Sequence, residues 1–184
     1  MAFIKLIICF IVACFLFGCI GSYNSNDNLN TKNSTGVNMS NNTIIVFETT
    51  KGNFTVELYE SEAPATTANF ITLVKSGFYD GLTFHRYEPG FVIQGGDPKG
   101  DGTGGSSKTI KLEINSALKH DVGTLSMART DNPNSASSQF FIVIGEAHFL
   151  DGQYAVFGKV SDGLDVVMKL RKGDKMNKVY QGDR

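Results

Sequence analysis

The chain has 184 residues, 41% of them apolar with 14 Phe and no Trp, which suits one domain with a real core plus extensions. Seventeen basic residues against eighteen acidic ones leave a formal charge of -1, a balance that argues against nucleic acid or another polyanion as partner. Three His are too few and too scattered for a metal centre, and Cys9, Cys14 and Cys19 all lie in the first nineteen residues, so the rest of the chain has no disulfide available.

Met1 to Ile20 reads as an export signal. Lys5 and the amino terminus are positive, and Leu6 to Phe17 is a run of twelve apolar residues, shorter than the roughly 20 needed to span a bilayer as a helix. Leu16-Phe17-Gly18-Cys19 resembles a lipobox, so residues 1–18 are expected to be removed and Cys19 to take up a lipid. An uncleaved anchor helix is the competing reading, because Phe17 stands where a lipobox usually has a small residue. Residues 19–42, with the lipidated Cys at their head, form a tether rich in Asn, Ser, Thr and Gly, with too little to bury to offset the entropy of folding. Asn33, Asn38 and Asn41 each open an Asn-x-Ser/Thr triplet of the glycosylation type. The protein is therefore expected outside the cytoplasm, as a monomer anchored to the outer face of the cytoplasmic membrane.

The folded domain is expected over 43–184. Ile44 to Thr49 and Phe54 to Tyr59 are β-branched runs around Lys51-Gly52-Asn53, a hairpin pattern. Pro64 suits the first turn of a helix, Ala68, Ile71, Val74 and Lys75 follow at helical spacing, and Gly77 sits where a helix stops. Two short strands joined at Pro89-Gly90 come next. Alternation puts Phe84, Arg86 and Glu88 on one face, Phe91 and Ile93 on one face, and Val92 and Gln94 on the other. Further strands are expected at 108–114, 123–129, 138–145, 154–160 and 176–180, with a turn at 149–152 and a helix at 162–170. Many short strands and two helices, without a repeated strand-helix-strand unit, predict a mainly β chain: a closed antiparallel barrel capped by two α-helices.

Several familiar chemistries fail on the residues. Gly100-Asp101-Gly102-Thr103-Gly104-Gly105 has the dinucleotide spacing but no helix after it, and Ser106-Ser107 replaces the Lys of a P-loop. A calcium loop from Asp97 fails at Lys99. No G-x-S-x-G surrounds a serine, Ser126 lies in an apolar strand, and His85, His120 and His148 lack metal-ligand spacing, so each reads as a surface or packing residue. Taken singly, Arg86, Gln94 and Gln139 are ordinary strand residues.

Their combination is specific. Phe84-His85-Arg86 followed by Pro89-Gly90-Phe91-Val92-Ile93-Gln94-Gly95-Gly96-Asp97 resembles the signature of the cyclophilin-type peptidyl-prolyl isomerases. The likeness continues through Gly102 to Gly105, Leu125 to Ala128, Ser138 to Ile142, Leu150 to Gly152 and Val156 to Val160, in the family's order. It implies an eight-stranded barrel that isomerises X-Pro bonds, with no cofactor and no metal. Arg86, Gln94 and Phe91 then match catalytic positions. Phe91, Val92, Phe141 and Leu150 match the walls of the proline pocket, with Gln94 and Gln139 at its rim. Ala128 and Arg129 fall where a peptide backbone pairs, and Phe149 and Tyr154 complete the substrate site. Many relatives have tryptophan at Phe149, histidine at Tyr154, methionine at Val92 and asparagine at Arg129. Activity is still expected, and cyclosporin binding is expected to be weak, because Phe149 has no hydrogen-bond donor.

The implied partners are proline-containing unfolded or extended polypeptides, in particular newly exported ones. A non-catalytic peptide-binding chaperone using the same groove, and a surface interaction protein with the barrel as scaffold, remain open. Arg86 favours an enzyme, because a pure binder has no use for that cation.

Overall fold

The computed structural model describes residues 42–183. The leader at 1–18, Cys19, the acceptors Asn33, Asn38 and Asn41, and all of the tether except Asn42 lie outside the described residues. Eight strands form one antiparallel sheet: β1 Ile44–Thr49, β2 Gly52–Leu58, β3 Arg86–Glu88, β4 Val92–Gly95, β5 Thr124–Met127, β6 Phe140–Val143, β7 Val156–Asp162 and β8 Met176–Gln181. Their order across the sheet is β3-β4-β6-β5-β7-β2-β1-β8. Helices α1 Pro64–Lys75 and α2 Leu164–Lys169, with a single 3₁₀ turn at His148–Leu150, complete the architecture.

The sheet curls on itself but stops short of the closed barrel expected from the strand pattern. β3 and β8 are its two edges and share no ladder. The gap is crossed by the chain leading into each: Thr83 bridges Lys175, Phe84 N–H donates to Asp174 C=O (2.9 Å) and Met176 N–H to Leu82 C=O (2.8 Å). The reason is local, since β3 is only three residues long and β8 begins where these bonds end.

Phenylalanine builds the interior in place of tryptophan. Phe47 and Phe54 stack across the first hairpin (4.6 Å between ring centroids), and Phe70 of α1 packs edge-on against Phe140 of β6 (5.6 Å). Tyr79 is fully buried, and its hydroxyl donates to Ser138 C=O (3.1 Å), which satisfies its polar end. The buried face of the helix shares only Val74 with the residues expected at helical spacing. Thr66, Thr67, Phe70 and Val74 are buried, whereas Ala68 and Lys75 are exposed and Ile71 only half-buried. A second shift is in the first hairpin, whose turn is Thr50-Lys51, because Thr49 pairs directly with Gly52.

The strand expected over 108–114 is a loop. Its alternation is used one residue at a time: Ile110 reaches the core beside Ala136, and Leu112 N–H donates to Asn134 Oδ1 (3.1 Å). Glu113 caps α1, its carboxylate accepting the Ala65 N–H (3.0 Å), the Thr66 N–H (2.6 Å) and the Thr66 hydroxyl. Such a cap, brought from 47 residues away, replaces the local one that Ala63 cannot supply.

The β3–β4 connection is a tight turn. Pro89 and Gly90 take the two central positions of a turn closed by Phe91 N–H to Glu88 C=O (3.1 Å), with Gly90 at φ 71°. The turn lies on the end of β6, where Glu146 N–H donates to Gly90 C=O (3.0 Å). A Cβ at Gly145 would overlap the Gly90 backbone. Gly145→Ala is therefore expected to lower stability in urea unfolding by about 1–3 kcal/mol. An unchanged midpoint would show that the turn yields freely.

Candidate functional site

Antiparallel register places Arg86 opposite Gln94, Gln94 opposite Phe141, and Phe141 opposite Ser126. With strands about 4.8 Å apart, these four side chains form one row of roughly 14 Å across β3, β4, β6 and β5. The row lies on the outer face of the sheet. Val92, Phe141, Val143 and Ala147 cluster there, apart from the core cluster that holds Ile93, Phe140 and Ile142. Phe91 sides with Val92 in this outer cluster and not with Ile93 as alternation suggested, because β4 begins only at Val92.

The outer cluster walls a hollow of about 290 Å³ lined by Arg86, Phe91, Val92, Gln94, Ala128, Arg129, Phe141, Leu150 and Tyr154. Two predicted residues stand apart from it. Gln139 lines a second hollow of about 570 Å³, which shares Gln94, Ala128 and Arg129 with the first. Phe149 is 62% exposed and stacks on Phe91 (5.2 Å) at the outer lip. Tyr154 meets Phe141 edge-on at 5.9 Å.

Arg86 is held on two sides. Its Nε–H donates to Glu88 Oε1 (3.2 Å) and its Nη1 to Gln94 Oε1 (3.2 Å), while Cζ lies 6.0 Å from the Phe91 ring centroid. A guanidinium can only donate, so the Gln94 oxygen must face it and the Gln94 Nε2 must face away. That Nε2 donates to Gln139 Oε1 (2.8 Å), and Gln139 Nε2 donates to Gly102 C=O (3.0 Å) and Gly104 C=O (2.7 Å). One arginine thus sets both amides and ties them to the glycine-rich loop. The loop is pinned again by Asp97, whose carboxylate accepts from the Lys99, Asp101 and Gly102 N–H groups.

A polar trio beneath Phe141 escaped the sequence reading. His120 is buried, stacks on Phe141 (5.9 Å between rings), and bonds through Nδ1 to Asp151 Oδ1 (2.9 Å) and through Nε2 to Ser126 Oγ (3.1 Å). The order of atoms is that of a hydrolase triad, but Ser126 is fully buried at the foot of the pocket wall and meets no substrate. Its work is positional: Asp151 follows Leu150, so the trio ties the pocket wall to β5. Only contact between β5 and the loop at 148–154 could have revealed it, and no local spacing encodes that contact. Glu88 was nearer to hand, because its place two residues from Arg86 on a strand already implied a shared face.

Burial pushes the His120 pKa below the usual 6.5, against the opposing pull of Asp151. Burial would raise the Asp151 carboxyl, but the His120 and His148 hydrogen bonds outweigh it and bring it to about 2. His120 is accordingly neutral and Asp151 charged at pH 7.

Residues 44–183 match the family model for cyclophilin type peptidyl-prolyl cis-trans isomerase/CLD. Peptidyl-prolyl cis-trans isomerase-like 1 of Aspergillus fumigatus is 46% identical over 132 residues, 70% of this chain and 81% of that protein. A peptidyl-prolyl cis-trans isomerase of Helicobacter pylori is 44% identical over 135 residues, 72% of this chain and 83% of its own. Among solved structures, a cyclophilin type isomerase of Cryptosporidium parvum, crystallised in the presence of the dipeptide Ala-Pro, superposes with a TM-score of 0.72 at 33% identity, covering 77% of this chain and 99% of that one.

The His120 site predicts how stability depends on acid. Because its folded pKa is depressed, the unfolded chain binds more protons, and stability falls as pH drops from about 6.5 through the folded value. The Asp151 contribution persists until pH falls from about 4 toward 2. Melting curves between pH 7 and pH 5 should show the first loss, and His120→Asn should reduce it, leaving the share of His85, whose pKa burial also lowers. An equal slope in the variant would place the proton elsewhere.

Proposed function

The chain belongs to the cyclophilin-type peptidyl-prolyl cis-trans isomerases, and we propose that it turns X-Pro bonds by holding the Arg86 guanidinium against the prolyl nitrogen of a peptide seated in the outer hollow. The observation that carries this reading is the shared register row: the cation and the apolar Phe141 wall stand two strands apart on one face.

Rotation about an X-Pro bond faces a barrier of about 18–20 kcal/mol, because resonance gives the C–N bond double-bond character. In the twisted state the nitrogen becomes pyramidal and regains its lone pair. A donor aimed at that lone pair favours the twisted state over the planar one, which is the condition for raising a rate. Phe91, Val92, Phe141 and Leu150 clamp the ring while the rest of the peptide turns. Gln94, opposite Arg86 on β4, and Glu88, two residues along β3, steady the guanidinium from two sides. Burying the ring contributes roughly 1.5–3 kcal/mol, weak enough for fast release. No bond is made or broken, so the route calls for no cofactor.

We further propose that the substrates are newly exported chains, met by a monomer tethered through a lipid on Cys19 at the outer face of the cytoplasmic membrane. The charged and apolar leader, the lipobox-like Leu16-Phe17-Gly18-Cys19 and the Asn-rich tether support that placement.

Cis-trans exchange of an Ala-Pro-Phe peptide, followed by NMR, tests the mechanism. Arg86→Ala should cut kcat/KM by roughly 10- to 150-fold, the worth of one charge-assisted hydrogen bond. Arg86→Lys should recover little, since an ammonium lacks the guanidinium's directed fork. Wild-type exchange no faster than in buffer would refute the proposal. For the anchor, Cys19→Ser should move the protein from the membrane to the soluble fraction; retention would indicate an uncleaved helix.

A further inference from the structure

The two hollows meet at a second arginine that the proposed reaction does not use. Arg129 is half-buried, with its guanidinium clamped in place. Nε and Nη2 donate to Gln153 C=O (3.2 and 3.0 Å), Nη1 donates to Thr130 C=O (2.8 Å), and Cζ lies 4.5 Å from the Tyr154 ring centroid. These partners fix direction but leave the charge intact, because carbonyls and a ring face are neutral. Among the described residues no carboxylate pairs with Arg129, whereas Arg86 has Glu88 at 3.2 Å.

The surroundings sharpen this contrast. Arg129 is the only charged side chain lining the second hollow, whose other walls are glycines, Ala128, hydroxyls and amides. In the first hollow the only charged lining groups are Arg86 and Arg129, both cations. Arg129 Nη1 also reaches the Asp131 C=O (3.4 Å), but no carboxylate lines either hollow, so a peptide crossing from one to the other passes a fixed positive charge with no acidic group in the walls. A half-buried cation of this kind gains most from a partner that arrives with the ligand.

We infer that Arg129 makes the site selective for X-Pro bonds flanked by an acidic residue, whose carboxylate lies in the second hollow against this guanidinium. The inference rests on the isomerase reading above. It differs from a purely structural role, in which Arg129 only ties β5 to the loop at 148–154, because that role is blind to the charge of the peptide.

The test uses Ala-Ala-Ala-Pro-Phe peptides with Glu, Gln or Lys placed in turn at each alanine, and the whole protein. Exchange rates and NMR titrations are measured on each. At one position at least, wild type should favour Glu over Gln by about two- to fivefold and disfavour Lys, with the gap closing at high salt. Arg129→Gln should bring the Glu/Gln ratio to one, Arg129→Lys should keep its sign, and Arg129→Glu should invert it in favour of Lys. Equal handling of Glu and Gln by wild type, or a preference that survives in Arg129→Gln, would overturn the inference. If no peptide exchanges faster than in buffer, the isomerase mechanism falls, and the titrations alone still decide the Glu preference.

Discussion

Strand register is the constraint from which the site follows. Arg86, Gln94, Phe141 and Ser126 are neighbours only because β3, β4, β6 and β5 pair as they do. Side chains alternate along a strand, so a slip of one residue between β4 and β6 would send Gln94 into the core and Ile93 into the groove. What forbids the slip lies on the opposite face. Ile93, Phe140 and Ile142 are completely buried, and exposing them would cost several kcal/mol. The apolar interior thereby chooses where the polar groups stand. Once Arg86 is in place, its donor-only chemistry orients Gln94, Gln94 orients Gln139, and the glycine-rich loop receives the last two bonds.

The same sheet must be covered on both faces around β6, and this shapes the outer wall. All four β6 residues are buried, so the strand shows no alternation of polar and apolar side chains. Inward residues meet the core, while Phe141 and Val143 meet the loop that carries Ala147, Leu150 and Tyr154. A loop cannot hold a wall by ladder bonds. His120 supplies the tie instead, taking Asp151 on one side and Ser126 of β5 on the other. Every polar atom of the ring is satisfied, which is what makes its burial affordable in energy. His85 offers the opposite case: it is buried beside the glycine-rich loop with neither ring nitrogen bonded to the protein.

How much of this was legible from sequence depended on whether the signal was local. The first hairpin, Pro64 at a helix start, Gly77 at its end and the Pro89-Gly90 turn were readable because each is fixed by its own residues. Arg86, Phe91, Gln94 and Phe141 were readable through a family likeness that spans most of the folded domain, and Val92, Ala128, Arg129, Leu150 and Tyr154 came with it. The misreadings share a cause. The stretch at 108–114 alternates like a strand, but its partners are a helix end and a distant bridge. The buried face of α1 rests on Thr66 and Thr67, polar residues that a search for apolar spacing passes over. The Thr67 hydroxyl donates back to Ala63 C=O (2.9 Å) and can therefore be buried.

The two arginines at the mouth divide the electrostatics between them. Arg86 shares its charge with Glu88, a pair exposed enough to be screened by water, so its directed N–H groups matter more than its net charge. That suits the proposed reaction, in which the target is a neutral nitrogen whose lone pair appears only in the twisted state. Arg129 is braced by neutral groups and keeps its full field, which reaches farther than a hydrogen bond but carries less direction. A shallow proline hollow cannot distinguish one X-Pro bond from another, because every client offers the same ring. Discrimination among clients must therefore come from residues beside the proline, and among the groups lining the two hollows Arg129 alone combines a fixed position with an unspent charge.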